Sequence, residues 1–115
     1  MSVSRPTRVL LVCAAGFSTV LLKKTILKAA EAAGFRMELY GEIVDGLAYR
    51  DFENDPFDII LLAPQVRFLR KVVAKRVAPF GIVVQPLDSM AFGMMDGEKL
   101  VQQIQEALAA RSSRI

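Results

Sequence analysis

The chain has 115 residues, 53% hydrophobic and 23% charged, with a formal net charge of +3, one cysteine and no histidine. That length and balance fit one globular domain, 1–115, with a core over about 7–109 and no internal repeat or linker. The lone cysteine excludes a disulfide framework, the missing histidine removes any imidazole base or triad, and together they leave no expected metal or cofactor.

Arg8 to Val12 reads as a buried strand, the first one spanning roughly Thr7 to Val12. Arg5 and Arg8 before an uncharged stretch to Leu22 mimic a signal peptide, and Leu10-Leu11-Val12-Cys13 mimics a lipoprotein cleavage site. Val12 is too large for such a site, however, and Lys23-Lys24 continue an amphipathic helix, so strand plus helix in a soluble cytosolic protein is the reading, with no membrane insertion. The helix is expected from about Ser18 to Ala33, with Leu22, Ile26, Ala29 and Ala33 inward and Gly34 as its C-terminal cap. Arg36 to Tyr40 alternates as an edge strand does, and a short helix is expected within Val44 to Phe52. Asn54-Asp55-Pro56 is a turn, and Phe57 to Leu62 is an apolar run suited to a central parallel strand. A third helix should run to about Ala78 with Val66, Leu69, Val72 and Val73 inward, followed by a strand from Gly81 to Val84. The last helix, Glu98 to Ala109, starts after Asp96 as N-cap.

Strands alternating with helices predict an α/β three-layer sandwich: a four-stranded parallel sheet, order 2-1-3-4, with helices on both faces. That order reverses direction between strands one and three, where open α/β sheets hold ligands beyond the strand carboxyl ends. The Cys13 loop and Ala63-Pro64-Gln65 flank that point, and Asp88-Ser89 emerges at the same end.

Cys13 admits two readings. Strand, small-residue loop and helix N-terminus form an anion cradle from Ala14, Ala15, Gly16, Phe17, Ser18 and Thr19, in which a thiol ionises more easily and attacks phosphorus. Alternatively, Cys13 is a buried residue ending a strand. A cysteine phosphatase needs an arginine where Thr19 stands, and Asp55 falls at the wrong end of the sheet to serve as its acid. A cradle lacking both should accept a phosphoryl group and withhold it from water, which describes a relay, although Asp88 remains a candidate acid at the correct end. Without an RNP, helix-turn-helix or zinc-finger pattern, the mild positive charge predicts no nucleic-acid partner.

Val12-Cys13-Ala14-Ala15-Gly16-Phe17-Ser18-Thr19, Leu61-Leu62-Ala63-Pro64-Gln65-Val66 and the segment Asp88 to Gly97 occur in this order. They resemble the EIIB component of the bacterial phosphoenolpyruvate-dependent sugar phosphotransferase system, lactose/cellobiose/chitobiose type, over about Thr7 to Leu108. The resemblance implies that Cys13 takes a phosphoryl group from a histidine of EIIA and passes it to a sugar held by the membrane component EIIC, in a monomer that docks transiently. Ala63 replaces a common glycine of the family, and Phe92 a usual tyrosine.

Further candidates each have a plainer role. Pro64, Gln65, Arg67 and Asp88 are expected at the crevice or a partner contact, though Gln65 also suits helix capping. Arg67, Arg70, Lys71, Lys75 and Arg76 form either a solvated face or a docking surface for an acidic partner. Met90, Phe92, Met94 and Met95 divide between core and an adaptable surface. The alternatives to a phosphocarrier are a phosphatase-like or arsenate-reductase-like thiol enzyme, and a non-catalytic module on the same fold.

Overall fold

The structure, a computed structural model, describes residues 5–14 and 19–112. Four parallel strands form one sheet in the order β2-β1-β3-β4: β1 (Thr7–Cys13), β2 (Met37–Ile43), β3 (Ile59–Leu62) and β4 (Val83–Pro86). The expected order is therefore the observed one. β1 and β3 take the centre because their residues are apolar on both faces, and all of β3 is buried.

Helices α1 (Thr19–Ala32), α2 (Val44–Leu47), α3 (Arg70–Val77), α4 (Ser89–Gly93) and α5 (Gly97–Ser112) complete the fold. Short 3-10 turns, Pro64–Leu69 and Ala78–Phe80, flank α3. Right-handed crossovers fix the layers: the β1-to-β2 step runs one way along the sheet, the β2-to-β3 and β3-to-β4 steps the other. α1 thus covers one face and α2 and α3 the opposite one, while α5 returns to pack against α1. That contact is close, since a Cβ on Gly97 would stand 2.7 Å from the Thr25 carbonyl oxygen, so only glycine fits. At the other end of α1, Gly34 adopts φ 69° and the Phe35 amide closes on the Ala30 carbonyl at 2.9 Å, the predicted cap.

Several expectations shift. The inward stripe of α1 is Leu22, Ile26 and Ala30, with Ala33 exposed, because the helix stops at Ala32 and the true period leads to 30. The predicted third helix opens as a 3-10 turn with a non-helical Val66 (φ −120°), which changes the rotational phase of α3 behind it. Val66, Val73 and Val77 are buried, but Val72 is 68% exposed. The short helix α4 lies within Asp88 to Gly97, a segment the apolar period alone did not resolve.

The strand amino ends are tied by charge. Arg5 makes a two-pronged pair with Asp58 at 2.9 Å per contact, and the Arg8 amide donates to the same carboxylate at 2.8 Å. The Arg8 guanidinium lies over the Phe57 ring at 4.6 Å and meets Asp55 at 3.0 Å. Arg76 leaves the basic face of α3 altogether, donating to the Leu47 and Arg50 carbonyls at 2.6 Å each and lying 4.9 Å over Phe52. It fastens α3 to the segment after α2.

Candidate functional site at the carboxyl ends of the strands

Cys13 is the last residue of β1, in register with Ile43 of β2 and beside the β3 junction. The Ala63 amide donates to the Val12 carbonyl at 2.9 Å, and the Leu87 amide to the Leu62 carbonyl at 2.8 Å. The ends of β1, β3 and β4 are thereby laced into one rim, as the reversal-point reading expected.

The thiol itself is fully buried, and burial pushes its pKa up, from 9.0 to about 11. This direction runs against the expectation of an easily ionised cysteine, which rests on the loop after Cys13, most of it outside the described residues: the described surroundings desolvate Sγ and favour the neutral thiol. Ala14 is half-buried against the core, and Thr19 opens α1 with its hydroxyl close over Gly41. Ala15, Gly16, Phe17 and Ser18 lie outside the described residues.

Pro64, Gln65 and Arg67 follow β3 directly on the 3-10 turn, at the same end as Cys13. Gln65 and Arg67 are exposed. Gln65 does not cap the turn: the cap position is Ala63, with no side-chain hydrogen bond. Asp88 follows β4, two strand spacings from β1, or about 10 Å across the sheet. Its carboxylate accepts the Ala91 amide at 2.9 Å and so caps α4. Asp55, by contrast, pairs with Arg8 at the start of β1, five residues and about 16 Å of strand from Cys13. The structure thus gathers Cys13, Ala14, Thr19, Pro64, Gln65, Arg67 and Asp88 at one end and leaves Asp55 at the other.

One polar residue of this end escaped the sequence reading. Gln103 of α5 accepts the Asp88 amide at 2.9 Å and donates to the Pro86 carbonyl at 2.7 Å. Nothing in the local pattern sets it apart from other glutamines on a helix surface. Exposed apolar side chains also crowd the same end: Val20 and Leu21 on α1, Ile43 on β2, Phe68 after β3, Met90 and Met94 around α4. Phe92 and Met95 pack against the core, so the methionine cluster divides between core and surface. Among the described residues no group of His, Cys, Asp and Glu side chains is placed to hold a metal ion, and no helix is long and apolar enough to cross a membrane.

Comparison with known proteins adds to this geometry. Residues 8–103 match the family described as "PTS system, Lactose/Cellobiose specific IIB subunit". The chain is similar to an oligo-beta-mannoside-specific EIIB component of Bacillus subtilis, 32% identical over 96 residues that span 84% of this chain and 90% of the relative. It is also similar to a galactose-specific EIIB component of Lactococcus lactis, 34% identical over 79% of this chain and 86% of that protein. Among solved structures, a cellobiose-specific IIB component from Borrelia burgdorferi superposes with a TM-score of 0.68 at 32% identity, covering 93% of this chain and 95% of its own. A lactose-specific IIB domain from Streptococcus pneumoniae shares the fold, with a TM-score of 0.75 at 23% identity over 90% of this chain and 98% of that one.

Proposed function

Because the chain belongs to the lactose/cellobiose-specific IIB family of the sugar phosphotransferase system, we propose that it is a phosphocarrier whose covalent intermediate forms on Sγ of Cys13. In this reading a phosphohistidine of EIIA donates the group, and a sugar held by EIIC receives it during uptake. The carrier works as a monomer on the cytoplasmic side, docking each partner in turn. The observation that supports this most is the position of Cys13: the only cysteine of the chain, at the carboxyl end of a central strand, where the sheet order reverses.

A buried neutral thiol suits this donor. As the Sγ–P bond forms and the imidazole N–P bond breaks, the thiol proton passes to the departing imidazole nitrogen, which needs one. The base absent from this chain arrives with the partner. Ala14, Ala15, Gly16, Phe17, Ser18 and Thr19 would supply backbone amides and hydroxyls to the phosphoryl oxygens. Pro64, Gln65, Arg67 and Asp88 border the crevice as partner contacts. Burial would then keep water from the phosphocysteine, as a relay requires.

The raised thiol pKa favours one competing reading, a non-catalytic module in which Cys13 merely ends a strand. Intact mass after incubation with phosphoenolpyruvate, the general phosphotransferase proteins and EIIA separates the two. The carrier gains one phosphoryl group that Cys13→Ser does not gain. No gain from a demonstrably phosphorylated cognate EIIA would leave the module reading standing.

A further inference from the structure

We propose that Phe68 and Val72, with Arg67, Lys71 and Lys75 beside them, form the surface on which the phosphorylated donor docks, and that transfer itself weakens this attachment. The inference rests on the phosphocarrier reading above. Phe68 is 74% exposed and Val72 68%, one turn apart, where the 3-10 turn runs into α3. Large apolar side chains this open on a helix start mark a contact face more than a solvated one.

Charge identifies the occupant. Between Asp58 and Asp88 the chain has no acidic residue and five cations, of which Arg76 alone is spent on backbone carbonyls. Arg67, Arg70, Lys71 and Lys75 pair with no carboxylate among the described residues. The patch begins just past Ala63, whose amide is bonded to the Val12 carbonyl next to Cys13, so a partner seated here lies beside the strand end that carries the thiol. An apolar centre flanked by unneutralised cations fits a partner with an apolar centre and acidic residues beside it.

The phosphoryl group adds direction. The free carrier has a net charge of +3, and a phosphoryl group brings about −2, leaving about +1. Attraction is therefore greatest for a phosphorylated donor meeting a free carrier, and falls on both sides once the group has crossed. The membrane acceptor is a poor match for the patch, since cytoplasmic loops of membrane proteins carry excess Lys and Arg.

The test is the second-order rate constant of transfer from a phosphorylated EIIA, followed by rapid quench and intact mass at about 0.05 M and about 0.5 M salt. Lys71→Glu should slow transfer about tenfold at low salt and within about twofold at high salt. Phe68→Ser should slow it about tenfold at both. Lys28→Glu, an exposed site on the far half of α1, changes net charge equally and should stay within about twofold of the parent chain. All variants should reach the same final mass gain of one phosphoryl group and melt with the parent. If the parent chain takes no phosphoryl group from a charged donor, the carrier reading itself fails, and this proposal with it. If the parent is phosphorylated and Lys71→Glu and Phe68→Ser match its rate and salt slope, the surface is wrong and the carrier reading survives. Variants with parental rates that lose binding to phosphatidylcholine–phosphatidylglycerol vesicles would assign the patch to an anionic membrane instead.

Discussion

The Ala63 amide donates to the Val12 carbonyl at 2.9 Å, so the residue opening the Pro64–Leu69 turn is bonded to the residue preceding the thiol. The two junctions at this end of the sheet are tied to each other. The alanine also explains a departure from the family pattern. At φ −59° and ψ 152° the position is ordinary extended backbone, which needs no glycine, and its methyl group is fully buried. Ala63→Gly should therefore destabilise the fold by about 1 kcal/mol, through a freer unfolded chain and lost packing. Thermal melting of the two proteins measures it.

Cys13 yields a pH signature. With the folded thiol at about 11, iodoacetamide labelling should rise about tenfold per pH unit through the alkaline range and stay far slower than at an exposed thiol. Stability follows by linkage. The folded pKa is raised, so the contribution is complete below 9.0 and lost as pH climbs to about 11. Denaturation midpoints between those limits should fall faster for the parent chain than for Cys13→Ala. Parallel curves would contradict the buried neutral thiol.

Asp58 should show the opposite sign. Burial works to raise its pKa, but the Arg5 guanidinium and the Arg8 amide prevail and hold it below the ordinary carboxylate value. The stability it lends is present above about pH 4 and lost as pH falls through the folded pKa. Asp58→Asn should cost about 1–3 kcal/mol at neutral pH, and the gap should close in acid. Urea titrations at both pH values would reveal it.

Arg76 tests the link between α3 and the segment after α2. Arg76→Met keeps a stem over Phe52 but abandons the Leu47 and Arg50 carbonyls, and should cost about 2 kcal/mol. Lysine should not restore it, since one ammonium lacks the planar fork. Amide exchange across residues 44–57 should quicken in either variant.

Much of the fold was legible because the apolar run at Ile59 to Leu62, the alternation at Met37 to Leu39 and the cap at Gly34 are local signals. Val72 was misread because the 3-10 start of the third helix turns the later residues by an amount the apolar period does not encode. Of the site, Cys13 and the Pro64–Arg67 turn were legible from their places after strands. The thiol's desolvation was not, since it depends on which other segments pack around Sγ. Nor was Gln103, whose partners lie 15 and 17 positions away in sequence.

Gln103 bears on how the sheet ends. Along β4 the amides of Val83 and Leu87 point to β3, so by alternation the backbone of Pro86 faces away from it, with no hydrogen to offer. The Gln103 amide gives a hydrogen to the Pro86 oxygen and takes one from Asp88, the two bonds a neighbouring parallel strand would make there. A side chain thus serves as the final rung of the ladder. This corner, at the same end of the sheet as the thiol, is thereby closed to a stray strand.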